Sequence, residues 1–351
     1  MSQGTITFTD SLDDTLGNIL GSGHYDRVFV LTDTTVGAIY GSRLRAIPAL
    51  AGAPVVTIPE GDEHKDIESL TRVWQFLSDS GATRHSCLVN IGGGMVTDLG
   101  GFAASTFKRG ISYVNVPTTL LAMVDASSGG KTGINLGGIK NEVGVFSQSQ
   151  AVVIHTPFLA TLTPQNILSG YAEMLKHSLI RDDALWADTI TADPSDVTRP
   201  GFADMLRRSI TVKSDIVRRD PREQHLRKIL NLGHTFGHAF ETYSHARGAG
   251  ILHGYAVAYG LVCELYLSCV KHHFPTGKMR QTVRFIRDNY GTYSFTCNDY
   301  DALLSLMRHD KKNCGTTINF ALLSDVGVPQ IDSHATKDDI FEAFDFLREG
   351  L

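Results

Sequence analysis

The chain has 351 residues, of which 42% are hydrophobic and 20% charged, with a formal net charge of −5. This composition excludes an intrinsically disordered chain, and the acidic balance argues against a general nucleic-acid surface. The length exceeds one ordinary hydrophobic core, so we expect two domains. The five cysteines form no Cys-x-x-Cys pair, and no apolar run reaches the roughly 20 residues of a membrane span. We therefore expect a cytoplasmic protein with reduced thiols and with neither a membrane nor a nucleic-acid partner.

Short apolar runs alternate with helical patterns through the first half of the chain. The strand-like runs cover 27–33, 54–58, 86–91 and 112–116. Helical spacing of apolar residues appears between them, as in 66–78. This alternation predicts a parallel sheet that is covered by helices on both faces.

Beyond Ile154 the pattern changes to long helical segments. These cover 164–180, 202–218, 226–244 and 253–271. Thr163 followed by Pro164 is a typical helix start, since threonine caps a helix and proline suits its first turn. We place a boundary after Pro157, which predicts an α/β domain at residues 1–157 and an all-α domain at 158–351.

A glycine-rich turn, Gly92-Gly-Gly-Met-Val-Thr-Asp98, follows the third strand and begins a helix. Glycines there let backbone amides approach an anion, and the helix N-terminus adds partial positive charge. Asp33 ends the first strand, and Thr118 and Thr119 follow the fourth. Ligands of parallel sheets bind at the carboxyl ends of the strands, so we predict a nucleotide at this edge. The glycines alone are equally compatible with a purely structural turn.

Histidines are concentrated in the second half. His234 and His238 are four residues apart, so both project from one face of a helix, and His253 follows a short glycine-containing break. Glu173, on another predicted helix, offers the carboxylate that zinc takes together with imidazole nitrogens. The residues alone leave two interpretations open, a metal site or histidines that pack on a helix without a ligand.

Eight segments together resemble the 3-dehydroquinate synthases, which are sugar-phosphate cyclases, and they occur in the family's order. The segments are GDEHK (61–65), GGGMVTDLGGFAASTFKRG (92–110), VPTTLLAMVDASSGGKTGIN (116–135), KNEVGVF (140–146), GYAEMLKH (170–177), LNLGHTFGHAFE (230–241), LHGYAVA (252–258) and HDKKN (309–313). The set spans about three quarters of the chain and is far more specific than any single motif in it.

The resemblance implies an N-terminal NAD-binding α/β domain with a parallel sheet, an all-α metal-binding C-terminal domain, and a homodimer. It assigns zinc or cobalt to Glu173, His234 and His253, and it gives His238 to the substrate phosphate instead. The residues implied in NAD+ binding are Asp33, Asp62, Lys65, Gly93, Gly94, Asp98, Thr118, Thr119, Lys140 and Thr161. Those implied in substrate binding are Asp125, Lys131, Asn141, Lys176, Lys213, Glu223, Arg227, Asn231, His238 and one of Lys311 and Lys312. Arg109 is implied to reach the phosphate pocket of the neighbouring subunit.

The implied reaction converts 3-deoxy-D-arabino-heptulosonate 7-phosphate to 3-dehydroquinate and phosphate. Oxidation of an alcohol by NAD+, assisted by zinc, acidifies the adjacent C–H. Phosphate elimination, reduction, ring opening and an aldol closure follow. A carboxylate-bearing substrate, and not those of the cyclases that make valiolone or deoxy-inosose, is favoured by Lys213, Arg227, Asn231 and the Lys311–Lys312 pair. The sequence is also compatible with a metal-dependent polyol dehydrogenase of similar fold and with a non-catalytic homologue.

Two residues depart from the family's usual pattern. Asp62 stands where glutamate is usual, and we expect its shorter side chain still to reach a ribose hydroxyl. Tyr255 stands where a glutamate commonly follows the His-Gly of the last ligand motif. A carboxylate often orients a ligating imidazole, so its loss at this position would weaken metal binding. We nevertheless expect Tyr255 to be tolerated, with about one zinc ion per chain.

Overall fold

The structure is a computed structural model that describes residues 4–137, 139–308 and 318–349. The chain forms two compact units, Met1–Leu162 and Thr163–Leu351. The division lies slightly beyond the predicted boundary, because the chain after Ile154 continues into a 3-10 segment, Thr156–Thr161, that belongs to the first unit. Lys311 and Lys312, of which one is predicted to contact substrate, lie outside the described residues.

The first unit is an α/β domain built on a parallel sheet. Its strands are β1 (Thr5–Phe8), β2 (Val28–Asp33), β3 (Val55–Ile58), β4 (Cys87–Gly92), β5 (Ser112–Pro117), β6 (Lys131–Leu136), β7 (Ile139–Phe146) and β8 (Ala151–Ile154). Its α-helices are α1 (Leu12–Ser22), α2 (Thr34–Ala46), α3 (Ile67–Asp79) and α4 (Gly94–Thr106). Six strands form the main sheet in the order β1-β8-β5-β4-β2-β3, and every pairing within it is parallel. The predicted parallel sheet is confirmed.

Helices cover this sheet because its strands are apolar on both faces. Every residue of β4 is buried, which is typical of a central parallel strand. Leu88 of β4 packs in one cluster with Val73 of α3 and Leu99 of α4, and all three side chains are fully buried. Full burial of each such side chain contributes about 1.5–3 kcal/mol, so this cluster holds α3 and α4 on the sheet.

Strands β6 and β7 form a separate antiparallel hairpin that the periodicity did not predict. The segment is rich in glycine and polar residues, so it lacks the continuous apolar run that identified the other strands. The hairpin carries three residues of predicted function, Lys131, Lys140 and Asn141.

The second unit is mainly helical. Its α-helices are α5 (Pro164–Arg181), α6 (Asp183–Thr191), α7 (Phe202–Arg219), α8 (His234–Ala246), α9 (His253–His272), α10 (Thr276–Tyr290), α11 (Tyr300–Arg308) and α12 (Lys337–Glu349). One antiparallel hairpin, β9 (Asn319–Asp325) and β10 (Val328–His334), precedes α12. The helical character is confirmed, and the hairpin is an addition that no sequence pattern indicated.

The predicted helix 226–244 is wrong over its first part. Leu226–Asn231 is a 3-10 turn, and Gly233 has a left-handed φ of 81°, so α8 begins only at His234. Left-handed backbone interrupts a right-handed helix and is cheap only for glycine. This break makes His234 the first residue of a helix.

Helix α9 is the central element of the second unit. Most of its residues between Gly254 and Ser268 are buried, and Leu261 and Leu265 are fully so. The rings of Phe236 on α8 and Phe344 on α12 pack edge to face, with centroids 5.4 Å apart.

In the part of the chain that the structure describes, none of the helices is long and apolar enough to cross a membrane.

Candidate active site

Three predicted metal ligands come together in the second unit. Glu173 is fully buried on α5, while His234 and His253 are the first residues of α8 and α9. The Nε2 atoms of His234 and His253 lie 3.4 Å and 3.6 Å from the same Oε1 of Glu173. One ligand atom from each residue lies within 4.8 Å of the others. Two imidazole nitrogens and one carboxylate oxygen are a donor set that zinc accepts, with a coordination position left for substrate.

The second nitrogen of each imidazole is also occupied. Nδ1 of His253 lies 3.0 Å from Oε2 of Glu241, and Nδ1 of His234 lies 3.1 Å from the carbonyl oxygen of Leu232. Such contacts select the tautomer in which Nε2 faces the ligand position. Burial lowers the pKa of His253, but the carboxylates of Glu241 and Glu173 outweigh it and raise this pKa to about 10. A cation at this site competes with that proton.

Tyr255 does not leave His253 without a carboxylate. Metal affinity would fall if no carboxylate oriented His253, yet Glu241 contacts its ring directly. The ring of Tyr255 instead packs edge to face on Tyr290, with centroids 5.2 Å apart. A residue on another helix thus supplies a carboxylate to His253, which is consistent with the expectation that Tyr255 is tolerated.

His238 lies beside the ligand group but is not part of the three-residue cluster. Its ring centroid is 5.3 Å from that of His234 and 6.0 Å from that of His253. Helical spacing correctly placed His234 and His238 on one face, but the chain beyond α8 brings His253 to Glu173. This is the arrangement that the resemblance implied.

The second unit also buries several cations. Lys176 pairs with Glu173 one turn earlier on α5, and both side chains are almost fully buried. Lys213 on α7 is 6% exposed and Arg227 is 2% exposed. Buried cations require compensation, and Glu173 supplies it for Lys176, while Arg227 donates to the carbonyl oxygen of Pro221 at 2.7 Å.

A loop after α7 carries three of the predicted substrate residues. The carboxylate of Asp220 accepts hydrogen bonds from the backbone N–H groups of Gln224, His225 and Arg227 at 3.0, 2.7 and 3.0 Å. Within this loop Glu223 has a left-handed φ of 58° and accepts a hydrogen bond from Asn231 Nδ2 at 2.7 Å. Sequence reasoning missed Asp220, although an aspartate before a proline at a helix end is a recognisable turn signal.

In the first unit, several residues predicted to bind NAD+ contact one another. Lys65 Nζ donates to Asp98 Oδ2 and to Asn141 Oδ1, both at 2.5 Å. Lys140 Nζ lies 3.0 Å from Asp62 Oδ2. Asn135, which sequence reasoning missed, donates to the Asp62 carbonyl at 2.8 Å and accepts from Asn141 N–H at 2.9 Å. Asn141, predicted to contact substrate, thus lies within this cluster.

The remaining predicted cofactor residues lie at the carboxyl edge of the sheet. Asp33 ends β2 and caps α2 by accepting from Val36 N–H at 2.8 Å, and burial raises its pKa. Gly93 caps α4 without a side chain, and a Cβ there would lie 3.2 Å from Thr119. Strands β5, β4 and β2 are neighbours in the sheet, so their carboxyl ends lie side by side at one edge. Gly94 is the first residue of α4, and the N–H of Thr118 donates to the carbonyl oxygen of Gly92. The hydroxyl of Thr161 forms a hydrogen bond with the hydroxyl of Tyr40.

Three further predicted residues belong to the first unit. Asp125 is in a short π-helical turn, Ala122–Ala126, and Lys131 is the exposed first residue of β6. Arg109 is exposed and has a left-handed φ of 68°, directly after Lys108 with a φ of 48°.

Comparison with known proteins identifies the family. Residues 55–169 match the family model described as 3-dehydroquinate synthase N-terminal, and residues 170–313 match 3-dehydroquinate synthase C-terminal. The chain is 47% identical over 351 residues to the 3-dehydroquinate synthase of Parabacteroides distasonis, covering 100% of this chain and 99% of that protein. It is 40% identical over 313 residues to that of Listeria innocua, covering 88% of this chain and 84% of the relative.

Solved structures of two other cyclases share the fold. The 2-epi-5-epi-valiolone synthase of Streptomyces hygroscopicus, with NAD+ and Zn2+ bound, matches with a TM-score of 0.86 at 25% identity, covering 99% of this chain and 98% of that one. A 2-deoxy-scyllo-inosose synthase matches with a TM-score of 0.83 at 24% identity, covering 99% and 96%. The two family models and the full-length relative agree, and the chain belongs to the 3-dehydroquinate synthase family.

Proposed function

We propose that this chain converts 3-deoxy-D-arabino-heptulosonate 7-phosphate to 3-dehydroquinate and phosphate, using NAD+ and a divalent metal, zinc or cobalt. The observation that carries this proposal is the full-length identity of 47% to a 3-dehydroquinate synthase. The reaction is a carbon–oxygen lyase step of the shikimate pathway, which leads to aromatic amino acids.

Glu173, His234 and His253, whose ligand atoms converge, would hold the metal. When bound there, the cation supplies Lewis acidity that lowers the pKa of a substrate hydroxyl. The contacts of His234 and His253 through Nδ1 keep both Nε2 atoms directed to the site.

NAD+ is held by the first unit, at the carboxyl edge of its sheet. The backbone N–H groups at the start of α4 would bind the pyrophosphate, and Gly93 and Gly94 leave them accessible because they have no side chains. Asp62 accepts from a ribose hydroxyl, and the contact from Lys140 holds its carboxylate in place. When bound there, NAD+ would supply the reversible hydride transfer on which the transient oxidation of the substrate depends.

Protein side chains bind and orient the substrate. Lys213 and Arg227 bind its carboxylate, and His238 contacts its phosphate together with Lys131 and Asn141. Fixing one conformer of a flexible substrate supplies much of the rate acceleration in reactions of this kind. The leaving phosphate itself takes the proton during elimination, so no protein base is assigned to that step.

A homodimer in which Arg109 serves the neighbouring subunit is supported by the surface of the first unit. Arg109 is exposed on a turn with two successive left-handed residues, a conformation that costs energy in non-glycine residues. The hairpin β6–β7 exposes apolar side chains. These include Leu136, Ile139, Val143, Val145 and Phe146. Exposed apolar clusters of this kind are typical of protein interfaces.

The decisive assay supplies the seven-carbon substrate and NAD+ and measures released inorganic phosphate and absorbance of NADH together. We expect phosphate release with no net NADH. Accumulation of NADH would identify a polyol dehydrogenase. Turnover of a sugar phosphate without a carboxylate, in preference to the seven-carbon acid, would identify another cyclase.

Mixing two inactive variants tests the role of Arg109. In a hybrid dimer of R109A and H253A, the R109A subunit has intact metal ligands and receives Arg109 from its neighbour. Random exchange would then restore about a quarter of wild-type activity. An inactive mixture, with exchange verified by a tag, would show that Arg109 serves its own subunit.

A further inference from the structure

The two helices that carry the histidines each also carry a buried carboxylate directed at the other helix. Glu241 on α8 lies 3.0 Å from Nδ1 of His253, the first residue of α9. Glu264 on α9 accepts from the backbone N–H groups of Gly233 at 2.6 Å and Thr235 at 3.1 Å. These two amides flank His234, the first residue of α8. We propose that Glu241 and Glu264 are positioning residues that reciprocally fix the two metal-binding histidines, an inference that rests on the metal site proposed above.

Glu241 acts on the ring of His253. It lies seven residues after His234, about two turns along the same face of α8, so its carboxylate stays within reach of the site. The side chain is 4% exposed. With Nδ1 of His253 donating to a carboxylate, the lone pair of Nε2 faces Glu173 and the imidazole becomes a stronger ligand.

Glu264 acts on the backbone around His234. The first N–H groups of a helix lack acceptors within the helix, and Gly233, at the capping position, has no side chain to provide one. A Cβ on Gly233 would lie 2.9 Å from Leu261 and 3.0 Å from the carbonyl oxygen of Val257, both on α9. A capping side chain at 233 therefore has no room, so the acceptor comes from α9 itself.

The charge of Glu264 suits this position. Its side chain is fully buried, and a carboxylate beside the N-terminus of a helix is stabilised by the positive end of the helix dipole. Two charge-assisted hydrogen bonds on either side of His234 fix the backbone from which its ring projects. Helix α8 and helix α9 thus each determine where the other presents its ligand.

The test uses the full-length enzyme loaded with zinc or cobalt. The zinc dissociation constant is measured by competition with a chromophoric chelator, and the visible absorption spectrum of the cobalt form reports ligand geometry. The variants are E241A, E241Q, E264Q and E264D. The control is D182N, which removes a negative charge from the N-terminus of α6, where Asp182 accepts from Leu185 N–H at 2.9 Å.

We expect E241A and E264Q each to weaken zinc binding by roughly 10–100-fold and to shift the cobalt spectrum. E241Q should recover part of the affinity, since its amide oxygen still accepts from Nδ1. D182N should lower the urea midpoint with zinc affinity and cobalt spectrum unchanged. If E264Q does not fold, the same two measurements are made on E264D. This variant keeps the negative charge, but its side chain is too short to accept from both backbone N–H groups.

Wild-type affinity and an unshifted spectrum in E241A, or in the folded Glu264 variant, would overturn the proposal for that residue. So would losses no larger than those of D182N. Failure of the unmodified protein to bind zinc or cobalt is a different result, since it would remove the proposed metal site itself.

Discussion

Lys176 and Glu173 form an ion pair one turn apart on α5, and both side chains are almost completely buried. A buried charge that loses its partner destabilises a protein strongly, by about 3–5 kcal/mol. The same carboxylate faces His234 and His253, so Glu173 serves both the ion pair and the proposed metal.

Two variants separate these roles. We predict that E173Q and K176Q each lower the unfolding free energy of the metal-free enzyme by about 3–5 kcal/mol in urea titrations. Added zinc should restore K176Q, since a cation then compensates Glu173, but it should not restore E173Q. Zinc per chain, measured by atomic absorption, should be near wild type only for K176Q. Equal zinc loss in both variants would contradict this separation.

The carboxylate of Asp220 should stabilise the enzyme near neutral pH, and this stabilisation should be lost in acid. Burial raises the pKa of Asp220, but hydrogen bonds from the backbone of Arg227, His225 and Gln224 outweigh it and lower this pKa below 3.8. Because the folded pKa is the lower one, the stabilisation is complete above the unfolded value and disappears as the pH falls through the folded value.

We therefore predict that the difference in unfolding free energy between wild type and D220N is constant from about pH 7 to 5 and shrinks below about pH 4. D220N should also lose roughly tenfold or more in kcat/KM, since its loop carries Glu223 and Arg227. D215N, which removes an exposed pair with Arg218, is the control and should change neither quantity appreciably. A difference that does not depend on pH would refute the role of the Asp220 charge.

Asp62 should affect NAD+ binding and leave stability unchanged. Its pair with Lys140 is partly exposed, so D62N should change the unfolding free energy by no more than about 0.5 kcal/mol. Loss of a charged acceptor for a ribose hydroxyl should raise the KM for NAD+ roughly tenfold. D62E restores the side chain usual in the family and should match wild type. An unchanged KM in D62N would exclude Asp62 from the cofactor site.

Gly100 should resist replacement by any larger residue. A Cβ there would lie 2.1 Å from Asn90 Oδ1 and 2.8 Å from Leu31 Cδ2, where α4 packs on the sheet. We predict that G100A destabilises the enzyme by about 1–3 kcal/mol in urea unfolding. Gly17 in α1 has no neighbouring atom within 4 Å of such a Cβ, so G17A should stabilise by up to about 1 kcal/mol. Similar values for both would show that close packing at Gly100 is unimportant.

Local sequence patterns were sufficient to predict those structural features that neighbouring residues determine. The parallel sheet followed from apolar runs such as 86–91, and the cap of α5 at Thr163 followed from two adjacent residues. The glycines at 93–94 were recognised because a turn between a strand and a helix needs little side-chain volume. The predicted helix across 226–233 failed because periodicity does not reveal that Gly233 adopts a left-handed φ against α9.

The sequence by itself determined the class of each unit, the family and the residue types for a metal and a nucleotide. Only the tertiary structure decided which partner each group meets. His253 reaches Glu173 because a turn folds α9 back onto α8, and Glu241 and Glu264 contact segments 12 and 31 residues away. Helical spacing specifies which side chains share a face, but packing between helices specifies what that face touches. Buried carboxylates such as these leave no periodic signal, because their partners are backbone amides and a ring on another helix.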